Sequence, residues 1–223
     1  MLLSRRSWQV ARRYAGPPLA IGAVLAATRR WRAAAAMIAS GGAVLLFFRD
    51  PRRPLRPAPD TAYAPADGLV TVAAEGAAVP WLPGAWTRVS IFLGLQNVHV
   101  ARAPAAGELQ EWQWVDGACH AALAARAARE NRQARIRIIT PGGDPVWVVL
   151  AAGMIARRIT GWTVPGDALG ADSGELSRLG LIHFGSRVDV LLPGRWMPQV
   201  RPGLRVRAGI TPIARTHSQG ITR

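Results

Sequence analysis

The chain has 223 residues, half of them hydrophobic, which is enough for one domain with a sizeable core and argues against global disorder. Its formal net charge is +15 and all 28 basic residues are arginine, which excludes a lysine-bound pyridoxal phosphate, a lysine-dependent aldolase and a P-loop. One cysteine excludes an intramolecular disulfide, and four histidines without metal-ligand spacing predict no metal site.

Residues 1–50 are predicted to form a membrane anchor of one or two short apolar helices. Two apolar stretches, 15–28 and 33–48, are flanked by arginine clusters, and each is shorter than the ~20 residues that span a bilayer as a helix. We expect either a helical hairpin that thins the bilayer or helices that lie in the interface. The apolar runs favour lipid over nucleic acid as the partner. The arginines after residue 48 predict a chain at the cell membrane with its larger part on the cytoplasmic face.

Beyond this segment the composition and the hydrophobic pattern of the sequence change. Residues 51–62 are predicted to be a proline-rich linker, because five prolines between 51 and 65 cannot continue a helix. Residues 63–223 carry short β-like runs separated by glycine and proline, which predicts one mainly β (α+β) domain, a compact sandwich or barrel-like structure. One alanine-rich stretch without glycine or proline, residues 118–131, predicts a helix within it.

Gly185 and Ser186 lie between two strand-like runs, where local pattern alone predicts an ordinary turn. The surrounding segment, GLIHFGSRVDVLLP at residues 180–193, closely resembles the self-processing segment of the short-type bacterial phosphatidylserine decarboxylases. Other segments are similar to motifs of that family in the same chain order: FFRDP at 47–51, APADG at 64–68, NVHVARAP at 97–104 and, more weakly, ENR at 130–132 and ARRI at 156–159.

The resemblance implies a self-cleaving proenzyme. The Ser186 hydroxyl attacks the carbonyl of Gly185 and turns the peptide bond into an ester, and β-elimination then breaks the chain. Residue 186 is left as a dehydroalanine, which hydrolyses to ammonia and an N-terminal pyruvoyl group. The products are a β chain of residues 1–185 and an α chain of residues 186–223. Glycine suits position 185 because it has no Cβ to hinder the attack.

The reaction implied by the resemblance is decarboxylation of membrane phosphatidylserine to phosphatidylethanolamine. The pyruvoyl group made from Ser186 forms a Schiff base with the amine of the lipid and accepts the electrons as carbon dioxide leaves. Pyridoxal phosphate fills this role in other decarboxylases. The expected partners are phosphatidylserine and the two chains of one precursor, and a homo-oligomer is compatible with the sequence.

Four residues besides Ser186 are candidates for the site. The resemblance implies that Asp67 and His99 handle protons during cleavage, as base and orienter. Local pattern alone makes Asp67 a turn residue and His99 a half-buried strand histidine. Arg102 stands where some family members carry a second histidine, and it either binds the substrate carboxylate or phosphate or lies on the surface. His183 replaces an expected arginine, and it either tunes processing or faces solvent.

Two alternatives stay open. Residues 166–210 contain Gly-Asp and Arg-x-Gly turns between short strands, which also suit a lipoyl-like barrel-sandwich domain in a non-enzymatic, membrane-tethered adaptor. That adaptor gives Ser186 no role and predicts an intact chain. The second alternative is a relative on the same scaffold that has lost self-processing through the changes around His99.

Overall fold

The computed structural model describes residues 3–54, 57–118, 120, 130–153, 158–170, 176–184 and 186–216. It divides the chain into two compact units, Met1–Arg52 and Arg53–Arg223. Most of the helix predicted over residues 118–131 lies outside the described residues. Ala118 and Asn131, at its two ends, form an isolated parallel β-bridge.

The first unit is a pair of antiparallel helices, α1 (Arg5–Ala27) and α2 (Trp31–Phe47). Gly22 of α1 packs on α2, and Gly41 of α2 packs on α1. A Cβ atom at these positions would come within 2.8 and 2.6 Å of a side chain on the other helix. Glycine therefore sets how closely the two helices approach. Among the described residues, no helix combines the length and the apolar character needed to cross a membrane.

The helical pair exposes large apolar side chains. Both helices contribute to this exposed set, which comprises Trp8, Ile21, Val24, Trp31, Ile38 and Leu46. Val24 and Trp31 are about two-thirds exposed, at 64% and 65%. Scattered apolar residues are common on protein surfaces. Six large ones on a short helical pair, however, form an apolar surface of the kind that marks an interaction site.

The second unit is built from strands joined by turns. Its described strands are β1 (Thr61–Tyr63), β2 (Gly68–Val79), β3 (Leu82–Leu93), β4 (Val100–Arg102), β5 (Gly107–Val115), β6 (Gln133–Ile139), β7 (Pro145–Ala152), β8 (Ile159–Gly161), β9 (Ala168–Leu169), β10 (Arg178–Ile182), β11 (Ser186–Pro193), β12 (Trp196–Pro198), β13 (Arg205–Val206) and β14 (Pro212–Thr216). The predicted mainly β class, with a helical N-terminal region, is confirmed.

The strands form three antiparallel sheets. The largest has eight strands in the order β13-β2-β3-β11-β7-β6-β5-β9, and the two smaller ones have the orders β1-β14-β12 and β4-β10-β8. Strand β11 lies inside the largest sheet between β3 and β7. Its alternating residues Val188, Val190 and Leu192 enter the main core, while Leu191 joins a second cluster on the other face. Both faces of this strand are therefore packed.

Candidate active site

The predicted cleavage segment crosses between two sheets. Strand β10 ends at Ile182 in a three-stranded sheet, and β11 begins at Ser186 in the eight-stranded sheet. The Ser186 backbone is in register with Leu93 of β3 on one side and Ala152 of β7 on the other. Gly185 lies outside the described residues. The first residue of β11 is thus held on both sides by neighbouring strands.

Phe184, two residues before Ser186, has a strained backbone. Its φ angle is +49°, in the left-handed region that residues with a Cβ rarely adopt. Such a conformation costs on the order of 1 kcal/mol or more and persists only where the surrounding structure enforces it. Strain therefore lies next to the bond that is predicted to break.

An ionic cluster fixes the chain on the other side of that bond. The Arg187 guanidinium donates to Asp189 Oδ1 at 2.7 Å and to Ser90 Oγ on β3 at 2.8 Å. Arg88, also on β3, donates to the second oxygen of Asp189 at 2.6 Å. These buried, charge-assisted bonds tie the start of β11 to β3 independently of the residues that precede it.

His99 is buried against the segment that leads to the predicted cleavage site. It is 1% exposed and immediately precedes β4, and its carbonyl accepts a hydrogen bond from the Ile182 N–H at 3.1 Å. Its Nδ1 lies 3.0 Å from the carbonyl oxygen of Asn97. Because a carbonyl only accepts, Nδ1 carries the proton, and in the neutral ring Nε2 is the basic nitrogen. His99 is therefore fully buried rather than half-buried, and its role in proton transfer stays a prediction.

His183 lies beside His99 and is also 1% exposed. Its N–H donates to the Arg158 carbonyl at 2.9 Å, and its Nε2 lies 3.0 Å from Thr160 Oγ1. Burial, the positive charge of Arg158 and electrostatic interaction with His99, in that order, together lower the pKa of His183 to about 4. The ring is therefore neutral at pH 7, and the expectation that it faces solvent is wrong.

Asp67 lies at the same end of the sheet as Ser186. It precedes β2, which pairs with β3 through Leu69 and Phe92, and Phe92 pairs in turn with Arg187. Strands β2 and β11 are therefore two strand spacings of ~4.8 Å apart, which separates the backbones near Asp67 and Ser186 by about 10 Å. Asp67 thus comes just before β2 and Ser186 begins β11, and these two strands run parallel on either side of β3.

The carboxylate of Asp67 is held by partners that the sequence does not reveal. Arg53 donates to both of its oxygens, at 2.7 Å to Oδ2, and the Ala208 N–H donates to Oδ1 at 2.8 Å. Within the described residues these are its hydrogen-bond donors, and His99 is not among them. The sequence offers no signal for this role of Arg53, which lies in an arginine cluster two positions after the FFRDP segment.

Arg102 is an interior residue. It is 1% exposed, and its NH1 donates to the Leu176 carbonyl at 3.2 Å. Its own N–H donates to the carbonyl of Pro65, in the turn that carries Asp67, at 2.8 Å. The alternative of a surface arginine is wrong. Arg102 joins β4 to the Asp67 turn, and its binding of a substrate anion stays a prediction.

Asn131, which belongs to the segment that resembles the family only weakly, supports β7 next to Ser186. Its buried amide donates to the Ala152 carbonyl at 2.8 Å, and Ala152 is in register with Ser186. The same amide also bonds both the N–H and the carbonyl of His120. Asn131 therefore fixes the strand end that flanks the predicted α-chain terminus.

Among the described residues, no three His, Cys, Asp or Glu side chains group as metal ligands.

Comparison with known proteins gives a consistent result. The family model for phosphatidylserine decarboxylase matches residues 42–214. The phosphatidylserine decarboxylase proenzyme of Symbiobacterium thermophilum is 38% identical over 214 residues, covering 96% of this chain and 95% of the relative. That of Mycobacterium avium is 40% identical, covering 91% and 83%, and that of Solibacter usitatus is 44% identical, covering 77% and 78%.

Proposed function

The chain belongs to the phosphatidylserine decarboxylase family, and from this premise we propose which of its residues carry out self-cleavage and decarboxylation. Its activity is the decarboxylation of phosphatidylserine, and it is made as a proenzyme. Neither the non-enzymatic adaptor nor the processing-deficient relative is favoured by this membership.

The proposed cleavage takes place between Gly185 and Ser186. The Ser186 oxygen attacks the Gly185 carbonyl carbon, the C–N bond breaks and an ester forms. Removal of the Cα proton of residue 186 then expels the Gly185 carboxylate as the Cβ–O bond breaks. Water converts the dehydroalanine that remains into a pyruvoyl group and ammonia. The observation that carries the proposal is the strained Phe184, which holds the segment out of regular structure next to a buried histidine.

We assign the proton transfers of cleavage to His99. Its Nδ1 is committed to the Asn97 carbonyl, so Nε2 is the nitrogen that accepts the proton. The lowered pKa of His183 keeps a second, neutral imidazole beside it at pH 7. Asp67 is assigned to the same step as a fixed negative charge at this end of the sheet, positioned by Arg53 and Ala208. Its contribution is electrostatic, since both of its oxygens are already bonded.

The residues around Ser186 fit a pyruvoyl group at the start of the α chain. Leu93 and Ala152 flank the backbone of residue 186, and the bonds of Arg187 hold the new terminus after the peptide bond is lost. A pyruvoyl group supplies an electron sink for the departing carboxylate, which a chain without lysine cannot obtain from internally bound pyridoxal phosphate.

We further propose that the helical pair of the first unit binds the cell membrane and leaves the catalytic unit on the cytoplasmic face. Its exposed apolar side chains and the arginine clusters at its ends support this placement. Apolar side chains enter the acyl region while arginine heads meet anionic headgroups, which is how monotopic segments bind.

Intact-protein mass measurement tests the cleavage proposal. Protein purified from active membranes should contain two chains that divide before residue 186, with a blocked, carbonyl-reactive terminus on the smaller one. A single full-length species that still releases carbon dioxide from phosphatidylserine would rule out the pyruvoyl assignment.

A further inference from the structure

A pocket of about 270 Å³ lies beside the cleavage segment. Its walls come from the end of β5, the residue before β6 and the start of β8: Trp114, Val115, Asp116, Arg132, Arg158 and Ile159. Two of these six residues are arginines, and both are exposed to solvent. Asp116 in the same lining pairs with Arg132 at 2.8 Å, so the positive charge that remains in the pocket is that of Arg158.

Two backbone contacts connect this pocket to the cleavage segment. Ile159 is in register with Ile182, and the Arg158 carbonyl accepts the N–H of His183 at 2.9 Å. The charge of Arg158 also reaches the His183 ring, where it is the second cause of the lowered pKa, after burial. Residues 182 and 183 stand only three or four positions before Ser186, so the pocket borders the segment that carries the chemistry.

The substrate brings a phosphodiester, whose negative charge needs a cation near the reacting serine group. Among the arginines that the described structure places around the site, Arg53, Arg132 and Arg187 are each paired with an aspartate. Arg102 is buried against a backbone carbonyl. Arg158 is exposed, and no carboxylate within the described residues forms an ion pair with it. Arg205 and Arg207 are also exposed, on and just after β13, but Arg158 is the one of these three whose backbone bonds to the segment that leads to Ser186.

We propose that Arg158 binds the phosphate of the lipid headgroup in this pocket and so holds the serine end of the substrate toward residue 186. This rests on the proposed function. A guanidinium suits the task because its planar donors match two phosphate oxygens at once. Trp114 lies on the same pocket wall with half of its surface exposed, at 53%, and its indole offers an apolar surface next to the charge.

The test compares three full-length variants with the wild type, using phosphatidylserine diluted in neutral detergent micelles. Arg158→Gln should raise KM about tenfold or more, because a charge-assisted bond to the substrate is lost. Its kcat and its self-cleavage should stay within about twofold of the wild type. Arg158→Lys should have a KM between those of the wild type and Arg158→Gln, because lysine keeps the positive charge but lacks the paired planar donors of a guanidinium. Arg137→Gln is the matched control, since Arg137 is exposed on β6 four residues beyond Gln133, away from the site end of the sheet.

Inorganic phosphate serves as a second probe. It should compete with phosphatidylserine in the wild type and lose this effect in Arg158→Gln. If phosphate competes but Arg158→Gln leaves KM for the lipid unchanged, the pocket binds free phosphate and the headgroup assignment is overturned.

Three other results would also overturn the proposal. An unchanged KM together with unaltered phosphate competition would remove Arg158 from binding. A KM effect seen only in vesicles rich in anionic lipid would assign the residue to the membrane surface. An Arg158→Gln protein that stays unsplit would assign it to processing. If the wild-type chain itself does not split, the proposed function is contradicted rather than the role of Arg158. Mass measurement of the wild type distinguishes these two outcomes.

Discussion

The Arg53 guanidinium holds both carboxylate oxygens of Asp67, and it also donates to the carbonyl of Ala208 at 2.9 Å. The Ala208 N–H donates to Asp67, so the three residues form a closed network of hydrogen bonds. Arg53 and Asp67 belong to the predicted β chain, whereas Ala208 belongs to the predicted α chain. The contact thus joins the two products of cleavage at the end of the sheet where Ser186 lies.

Arg53→Leu should destabilise the protein and slow self-cleavage. The side chains of Arg53 and Asp67 are only 8% and 13% exposed, so the change leaves a buried carboxylate without its counter-ion. Breaking such a pair costs about 3 kcal/mol, which for a unit of this size lowers Tm by about 10 °C. Calorimetry and the rate of chain splitting check this. Arg53→Lys should lose less, and an unchanged Tm in Arg53→Leu would contradict the role given to the pair.

Ser186→Ala should abolish both chain splitting and carbon dioxide release, because it removes the attacking oxygen and the source of the pyruvoyl group. Gel electrophoresis and a radiolabelled carbon dioxide assay measure the two effects. Ser40→Ala is the control, since Ser40 is an exposed residue of α2 that bonds only within its helix. Decarboxylation by the alanine variant would show that the electron sink comes from elsewhere.

His183 should make folding sensitive to mild acid. Its pKa falls from 6.5 to about 4 in the folded state, so the unfolded chain binds the extra proton between these values. The contribution of this group to the free energy of unfolding is fully present above pH 6.5 and declines as pH falls toward 4. At pH 5 about 2 kcal/mol of it is lost. Urea unfolding at pH 7.5 and pH 5 measures the loss, and His183→Gln should lose less than the wild type. Equal losses in the two proteins would mean that the imidazole titrates normally.

Asp189→Asn and Asp116→Asn should differ sharply in stability. Asp189 is buried and accepts from both Arg88 and Arg187, so its neutralisation leaves two guanidinium groups without their anion, at a cost of about 3 kcal/mol. Asp116 pairs with Arg132 in an exposed bridge, which is worth about 0.5 kcal/mol or less. Denaturant titration of the two variants side by side gives the comparison, and similar losses would refute it.

Val24→Asp should weaken binding to lipid vesicles about tenfold, since burying one such side chain is worth about 1.5 kcal/mol. Val24 is an exposed apolar residue of the helical pair. Leu204→Asp introduces the same charge at an exposed apolar residue of the second unit and should leave binding unchanged. Sedimentation with vesicles measures both, and equal effects would argue against an anchor in the first unit.

The sequence predicted the β architecture and the position of Ser186 because both depend on local patterns. A strand-like run before Gly185 and an alternating run after it mark the flanking strands, and the resemblance supplied the chemistry. The partners of Asp67 were not predictable in this way. Ala208 lies 141 positions along the chain from it, and only the folded sheet brings the two together. Arginine is usually exposed, so the burial of Arg102 could not be read from its residue type.

The place of β11 in the sheet has a consequence for the cleaved enzyme. Strands β11, β13 and β14, all in residues 186–223, pair with strands that precede the proposed cleavage site. The two chains therefore share one interior, and they separate only when that interior unfolds. Before cleavage, refolding is a first-order event within a single molecule. Afterwards two polypeptides must find each other, so recovery from denaturation becomes concentration-dependent. After cleavage, slow unfolding of the shared interior therefore becomes more important for keeping the two chains together.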